Sequence, residues 1–451
     1  MVQKITIFHL ILLITATASI SAQNQEDIKY NRSSLTMIYL TGQSFHEDRS
    51  NLDPEDAKID NTPQAVKNLW DNYPFPDKYD EHLIPSSTIN IVSTLDGKNL
   101  LEVMSGKKQK EDIKNLQPQV DQQLKAQRVA HQVVRKWFSS EDGKFWDMST
   151  IQRRGFYNAT EIEADIAKQD VRGMTKLADA GEELLNNSFV TVTDLHLFAN
   201  KPLSDLYYAI AAELTDKANE IIRKARGKDM ATQLAASIQS APYLLTATGF
   251  AVAAAAIKDG FTVFSKTFLY KLKWNDEIQA RFYQNWGNDA AFERMNFELE
   301  FIGVQYNKTK LNRGVFNKAP NRKPEVVIKQ AVVRNIDEAF AQLQKDNEVF
   351  KPMVPIIGTD PIIAQVGLKE SITAKSKFNV LQKTEDPITG KTRWQKVGVV
   401  KVDKIWDNRY YAGEEKFDDE GNRITVDDRA KGTTFKGGKN IVPGMMLKLI
   451  K

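Results

Sequence analysis

The chain has 451 residues, of which 41% are hydrophobic and 27% are charged. This composition is typical of folded proteins and excludes wholesale disorder. Lys and Arg number 62 against 58 Asp and Glu, so the net charge of +4 is small. No basic stripe with interleaved aromatic residues points to nucleic acid as a partner. The length predicts two or three domains.

The first 22 residues have the three-part layout of a secretory signal peptide. Lys4 supplies a positive charge, an apolar run extends from Ile5 to Ile14, and small residues continue to Ala22. The run is shorter than the roughly 20 residues that a membrane-spanning helix needs. We therefore expect export with cleavage after Ala22, or after Ala18, and no transmembrane span once the signal is removed. An uncleaved anchor is the alternative.

The chain contains no cysteine. No disulfide can therefore crosslink the fold in an oxidising compartment, so a large hydrophobic core must supply the stability. The same absence excludes a lipid-anchored N-terminal cysteine, a cysteine nucleophile and thiolate metal sites. A large exported protein without cysteine suits a bacterial envelope, and we expect a periplasmic or secreted location.

Residues 23–200 are predicted to form an α/β domain, from the alternating or helical spacing of their apolar residues. The predicted strands are Leu35–Leu40, Thr88–Thr94 and Phe189–Thr193, and the predicted helices are Pro118–Phe138, Ala159–Ala167 and Met174–Leu185. A loop carries Tyr73, Phe75 and Tyr79, which we expect to pin it onto the core; an aromatic ligand platform is the alternative. His131 has no acidic or histidine partner four residues away, which favours a structural role.

Residues 201–350 are predicted to form a central α+β domain. A long helix should begin at Pro202 and end in a basic turn before Gly227. The segment Met230–Ile257 has no charged residue and is rich in Ala. A membrane-inserting helix is one interpretation, but Pro242 and Gly249 divide the segment and its apolar half is too short to span a bilayer. We therefore expect two short helices that are buried or contact another subunit.

The stretch from Phe261 to Gly303 is predicted to be a strand–helix–strand unit. Its two strands each alternate apolar with polar residues, and Asp276–Trp286 is the helix between them. We expect the following residues to face a core: Phe268, Tyr270, Leu272, Phe297, Leu299 and Phe301. On the opposite, wet face, Lys271 and Lys273 should meet Glu298 and Glu300 across the strands.

Three further elements are predicted around the start of the C-terminal part. Val326–Val333 is interpreted as a strand, Asp337–Gln344 as a helix with Asn335 as its cap, and Met353–Ile357 as a strand. Prolines at 352, 355 and 361 mark a domain boundary near this point.

Residues 351–451 change in character to short strands and glycine turns, which predicts a small SH3-like β-barrel. The predicted strands are Ile362–Val366, Lys377–Gln382, Trp394–Val402, Ile405–Trp406 and Met445–Ile450. The expected core is Phe378, Val380, Val397, Val399, Ile405, Met446 and Leu449. We expect the final strand to close the barrel, because an open edge would leave backbone groups unpaired.

Common catalytic and cofactor motifs are absent from the sequence. It contains no dinucleotide or phosphate-binding glycine loop, no H-E-x-x-H and no G-x-S-x-G. The histidines are widely spaced, so neither a cofactor nor a metal site is predicted. The acidic groups Asp418–Glu420 and Asp427–Asp428 lack calcium-loop spacing, and adjacent Glu182 and Glu183 would not face each other on a helix. No catalytic residue is assigned.

Several stretches carry a resemblance to known families. The following resemble exported proteins of Gram-negative gut and oral bacteria: Leu177–Leu184 with Phe189–Val190, Leu269–Asp276, and Trp406–Tyr410 with Pro443–Met445. This likeness covers most of the mature chain and implies export, but it transfers no activity or functional residue. The C-terminal module is also similar, through Val380–Leu381, Val397–Val402 and Pro443–Met445, to the small barrel of flagellar assembly protein T-like envelope proteins.

Two function classes follow from these features. The first is a non-catalytic envelope protein that binds other proteins or the cell wall. The second is an exported hydrolase acting on glycans, since two carboxylates that approach only in space leave no motif. A cleft with converging carboxylates would favour the hydrolase, whereas exposed apolar patches would favour assembly. The sequence leaves the oligomeric state open.

Overall fold

The computed structural model describes residues 33–45, 49–54, 56–95, 114–158, 183–256, 260–311, 324–385, 392–409 and 432–450. The strands in these ranges form a mixed sheet and a closed barrel. Helices flank the sheet, so the predicted α+β class with a C-terminal barrel is confirmed. The predicted signal segment, the helix Ala159–Ala167, most of Met174–Leu185 and the acidic groups at 418–420 and 427–428 lie outside the described residues.

The sheet has six described strands, and both directions of pairing occur in it. They are β1 (Ser34–Phe45), β2 (Asp80–Glu81), β3 (Thr88–Leu95), β4 (Ser188–Ala199), β5 (Phe261–Leu272) and β6 (Leu299–Leu311). β1 is parallel to β2, β3 and β4, whereas β4, β5 and β6 are successive antiparallel neighbours. The sheet thus takes strands from both of the ranges 23–200 and 201–350.

Helices cover both faces of the sheet. In chain order they are α1 (Pro63–Asp71), α2 (Gln117–Ala126), α3 (Val129–Trp137), α4 (Ser149–Asn158), α5 (Asn200–Ala225), α6 (Met230–Ala256), α7 (Asp276–Gln284), α8 (Asp289–Arg294) and α9 (Pro324–Asp346). Helices α1 and α9 pack on one face, while α2, α3, α4, α7 and α8 pack on the other. Because of this double cover, the central strands β4 and β5 are buried along nearly their whole length.

The predicted helix Pro118–Phe138 is two helices, α2 and α3. Arg128 lies between them with a left-handed φ of 55°, a conformation that interrupts an α-helix. Residues from both helices, Val120 and Trp137 among them, are buried in the same core. The apolar spacing therefore continues across the break, and for that reason spacing alone predicts a single helix.

The strand–helix–strand prediction is confirmed in its pairing, but the charged side of the strands is only partly exposed to solvent. Lys271 lies opposite Glu300 in the register, and Lys273 Nζ is 2.9 Å from Glu298 Oε2. The side chains of Lys273 and Glu298 are exposed as predicted, whereas Leu269, on the same face of β5, is buried in the core under α9. The helix between the strands ends at Gln284, and the short α8 follows it.

The prediction of a strand at Val326–Val333 is wrong, because these residues belong to α9. Val327, Ile328 and Val332 are buried against the sheet from this helix. Asn335, the predicted cap, lies in the middle of α9, where its side-chain oxygen accepts a 2.6 Å hydrogen bond from the Ser265 hydroxyl. The β-branched run has strand propensity, but packing on the sheet overrides it.

The C-terminal module is a closed antiparallel barrel. Its strands are β7 (Met353–Thr359), β8 (Ile362–Ala364), β9 (Lys377–Glu385), β10 (Thr392–Lys404), β11 (Thr433–Lys436) and β12 (Met446–Leu449), in the order β10-β11-β8-β7-β12-β9. The final strand pairs with both β7 and β9, so its predicted closing role is confirmed. Ile405–Trp406 forms only an isolated bridge between Gly367 and Trp406, and β11 was not predicted.

The predicted barrel core is correct except along β10. Phe378, Val380 and Met446 are buried, and Ile405 and Leu449 pack partly against the core. Val397 and Val399 are instead 42% and 36% exposed. Val400 and Val402 take their place inside, because the register shifts by one residue at 396–398. Such a bulge moves each following side chain to the other face of a strand.

Candidate interaction surface

Helices α5 and α6 form a helical hairpin between two neighbouring strands of the sheet. Ala199 at the end of β4 pairs with Phe261 at the start of β5, and the hairpin connects these two points. With 26 and 27 residues, each helix extends about 40 Å. The buried Asn200 fixes the base: its N–H donates to the Gly260 carbonyl at 2.8 Å, and its side-chain oxygen accepts from the Thr262 hydroxyl at 2.6 Å.

The two helices contact each other through small side chains at seven-residue spacing. The buried members are Ser204, Ala211, Ala218 and Ala225 on α5, and Ser240, Ala247 and Ala254 on α6. The Ser204 hydroxyl donates to the Ala254 carbonyl at 2.9 Å, so the backbones approach closely. A seven-residue repeat keeps one stripe of a helix against its partner over many turns.

The outer side of α5 is charged. Lys217 and Glu213 are 2.7 Å apart, and so are Lys224 and Glu220, each pair one helical turn apart and exposed to solvent. Pairs of this kind suit a helix face that stays in water. Nothing about this side of the hairpin requires a partner.

The outer side of α6 is apolar and exposed. We define its outer seam as the exposed residues Ala231, Leu234, Ile238, Ala241, Leu245, Thr248, Val252 and Ala255. Leu234, Ile238, Leu245 and Val252 are 62%, 67%, 75% and 65% exposed. Leu245 and the buried Ala247 are two positions apart, which turns their side chains in nearly opposite directions on a helix. The seam therefore faces away from α5.

The prediction for Met230–Ile257 needs two corrections. Residues 230–256 form one continuous helix with Pro242 inside it, rather than two short helices. The helix is also not buried, since only four of its residues are. Contact with another subunit was the other predicted role, and it remains a prediction. Within the described part of the chain, no helix combines the length and apolar character needed to cross a membrane.

A pocket of about 190 Å³ lies beside β1, where its neighbour changes from β2 to β3. Tyr73 and Phe75 line it together with the acidic residues Asp71 and Glu81. Asp71 Oδ2 is bound to Lys67 Nζ at 2.6 Å, so one of the two acids already has a cationic partner. Pockets that bind small ligands usually enclose about 300–1,000 Å³.

The aromatic loop is pinned onto the core, as predicted. The Tyr79 hydroxyl donates to the Phe350 carbonyl at 2.7 Å, and its ring stacks on the Phe350 ring. The Tyr73 hydroxyl donates to Asp337 Oδ1 at 2.7 Å. Tyr73 and Phe75 also line the pocket, and an aromatic ligand platform there remains a prediction.

Asp194 on β4 and Lys266 on β5 form a buried ion pair, and the partly buried His196 completes the cluster. His196 Nε2 is 2.6 Å from Asp194 Oδ1, and Lys266 Nζ is 3.5 Å from Asp194 Oδ2. Burial tends to raise the pKa of Asp194, but His196 and Lys266 outweigh it and hold the pKa below its usual value. Sequence analysis did not identify this cluster, since its members alternate with apolar residues in strands that bury both faces.

A second buried charged group joins the barrel to the sheet. Asp337 on α9 lies 3.7 Å from Lys369, which belongs to the barrel. Glu370 lies 3.5 Å from the buried Lys78. Burial raises the pKa of Asp337 to about 6, although Lys369 and the hydrogen bond from Tyr73 act against this rise. These contacts hold the barrel on the aromatic loop and on α9.

Two of the described histidines, His82 and His131, have structural surroundings. His131 Nε2 lies 2.6 Å from the Met295 carbonyl, and the ring packs edge-on against Phe297. His82 Nε2 donates to the Val133 carbonyl at 2.9 Å, and burial lowers the pKa of this histidine to about 4. Among the residues described, no three acidic or histidine side chains are grouped so that they could hold a metal ion.

No protein-family model matches this chain, and no curated protein is significantly similar to it.

Proposed function

We propose that this protein is a non-catalytic, exported envelope component that binds another macromolecule through the outer seam of α6. The observation that carries this proposal is a 27-residue helix without a charged residue, whose exposed side presents Leu234, Ile238, Leu245 and Val252. An exposed row of this kind is typical of an interaction surface.

Burial energetics support a bound state for the hairpin. Fully burying one Leu, Ile or Val side chain contributes about 1.5–3 kcal/mol. Inside the hairpin, α6 buries only small side chains, so its large aliphatic residues add little to the stability of the isolated chain. A partner that covers the outer seam would bring these side chains into a core.

Export and an envelope location belong to the same proposal. They are supported by the charged, apolar and small-residue segments of the first 22 residues and by the absence of cysteine. A hairpin that extends about 40 Å from the sheet can reach a partner without disturbing the barrel or the sheet cores.

Hydrolysis of a glycan is the alternative, and the pocket with Asp71 and Glu81 is the place to test it. Two observations favour binding over hydrolysis. The pocket is smaller than usual ligand sites, and Asp71 is paired with Lys67. If the protein releases sugar from an envelope polysaccharide and the joint Asp71→Asn, Glu81→Gln variant does not, the hydrolase is the correct function.

Site-specific photo-crosslinking tests the binding proposal. A benzophenone amino acid placed at Leu245 in the native cells should give a discrete crosslinked product from the envelope fraction. The matched control is the same amino acid at Glu220, an exposed position on the charged side of α5. We expect no discrete product at this control position. Absence of a product at Leu245, or equal products at both positions, would reject the proposed function.

A further inference from the structure

The outer seam has the spacing of a coiled-coil contact. Its members follow one another at alternating steps of three and four residues, which is a period of 3.5. Large side chains stand mainly at one of the two alternating positions: Ile238, Leu245 and Val252. Small side chains stand mainly at the other: Ala241, Thr248 and Ala255. This alternation predicts which partner helix fits the seam.

The seam is complementary to a second, antiparallel copy of itself. If Leu245 of one copy faces Ala241 of the other, the two-fold axis passes between these positions. Ile238 then faces Thr248, so that each central layer places a large side chain against a smaller one. In a parallel pair, Leu245 would instead face Leu245 and Ala241 would face Ala241. Crowded layers of large side chains would then alternate with layers that leave gaps.

The charges of the hairpin favour the same arrangement. Because α6 has no charged residue, two copies of it bring no like charges together. Contact between α6 and the outer side of α5 from another copy would bury paired charges such as Glu213 and Lys217, at a cost in desolvation. Helices that lie on a membrane surface usually carry Lys or Arg beside the apolar face, and α6 has neither.

We propose that the partner of the outer seam is a second copy of this chain, and that two hairpins pack through α6 in an antiparallel, two-fold symmetric pair. This inference rests on the proposed function, because it names the partner of the same surface. The small-residue contact between α5 and α6 is an antiparallel helix pair of the same general kind within one chain.

Introduced cysteines test the register directly, since the full chain has none of its own. In the antiparallel pair, Leu234 of one copy faces Val252 of the other. A mixture of Leu234→Cys and Val252→Cys chains should therefore form a disulfide-linked dimer on mild oxidation. Each variant alone should stay uncrosslinked, because positions 234 of the two copies lie 18 residues apart along the helices, about 27 Å. A disulfide needs Cα atoms within about 7 Å.

The outcomes separate the two directions of pairing. Crosslinking in the mixture, with none in either variant alone, supports the antiparallel pair. Crosslinking of each variant alone would indicate a parallel pair and would overturn the proposal. Absence of any crosslink at tens of micromolar, with wild-type chain sedimenting as a monomer, would also overturn it.

A charge in the seam provides a second measurement. Wild-type chain should sediment with the mass of two chains, and Leu245→Glu should sediment with the mass of one, because the pair would bury an unpaired carboxylate. Leu245→Glu should leave the melting temperature of the isolated chain within about 2 °C, since Leu245 is 75% exposed. Lys217→Glu, on the outer side of α5, is the matched control and should keep the mass of two chains.

Failure here can be distinguished from failure of the proposed function. A photo-crosslinked product at Leu245 with the mass of two chains supports both proposals. A product of any other mass retains the binding function and overturns the second copy as partner. Flotation of wild-type chain, but not of Leu245→Glu, with vesicles of phosphatidylethanolamine and phosphatidylglycerol would identify a lipid surface instead and would likewise overturn it.

Discussion

At the scale of single residues, Asp337 links ionisation to the attachment of the barrel. Its side chain is 7% exposed, and burial raises its pKa to about 6, well above the value of about 3.9 for an unfolded chain. Between these values the folded protein binds more protons at this site than the unfolded one. The contribution of Asp337 to stability is therefore greatest at low pH and falls as the pH rises towards 6.

Replacing Asp337 by Asn should remove this dependence while keeping an acceptor for the Tyr73 hydroxyl. We expect the free energy of unfolding of Asp337→Asn, relative to wild type, to rise by roughly 2–3 kcal/mol between pH 4 and pH 7. Urea unfolding across this range measures the difference. Glu277→Gln, at a side chain that is 79% exposed, is the control and should run nearly parallel to wild type. A parallel profile for Asp337→Asn as well would contradict the expectation.

At the scale of elements, the last strand completes the barrel. β12 pairs with β7 on one side and β9 on the other, and Leu447 is fully buried in the core. Without β12, both neighbours would expose unpaired backbone donors and acceptors. A strand of four residues thus determines whether the barrel is closed.

Deleting Pro443–Lys451 should unfold the barrel rather than trim a tail. We expect loss of part of the β signal in circular dichroism and a lower melting temperature. The control is Lys448→Ala, which keeps the strand and removes only the 3.0 Å ion pair with the exposed Glu348, a change worth less than about 1 kcal/mol. If the truncated chain keeps its full β signal and melting temperature, β12 is peripheral to barrel stability.

At the scale of the whole molecule, the sheet and the barrel have separate cores. The hairpin connects two strands of the sheet and packs against the sheet at its base. Among the described apolar residues of the hairpin, Leu203 packs against the sheet at the base, together with Leu206, Tyr207 and Ile210. The remaining length of α6 is therefore available for contact with a partner, and the sheet holds the hairpin in place at its base.

The proposed export concerns the whole chain, and the mature N-terminus tests it. We expect protein isolated from the envelope fraction to begin at Gln23, because Lys4, the apolar run and the small residues to Ala22 have the layout of a signal peptide. N-terminal sequencing and intact mass measure this. A cytoplasmic protein that retains Met1 would show that the segment is not a cleaved signal.

Sequence alone determined features that depend on residues close together in the chain. The alternation in β5 and β6 fixed the Lys271–Glu300 register, and the missing charges of α6 marked the hairpin as unusual. The seven-residue repeat of small residues in α5 is also present in the sequence.

Tertiary structure decided what covers each element. Leu269 is buried because α9 packs on it, and the β-branched run at 326–333 is helical because its buried face fits the sheet. Periodicity states which side chains share a face, but not whether that face meets another element or water. For α6 the distinction matters most. Its apolar residues predicted burial or contact with another subunit, whereas in the single chain the small-residue stripe packs on α5 and the outer seam remains exposed.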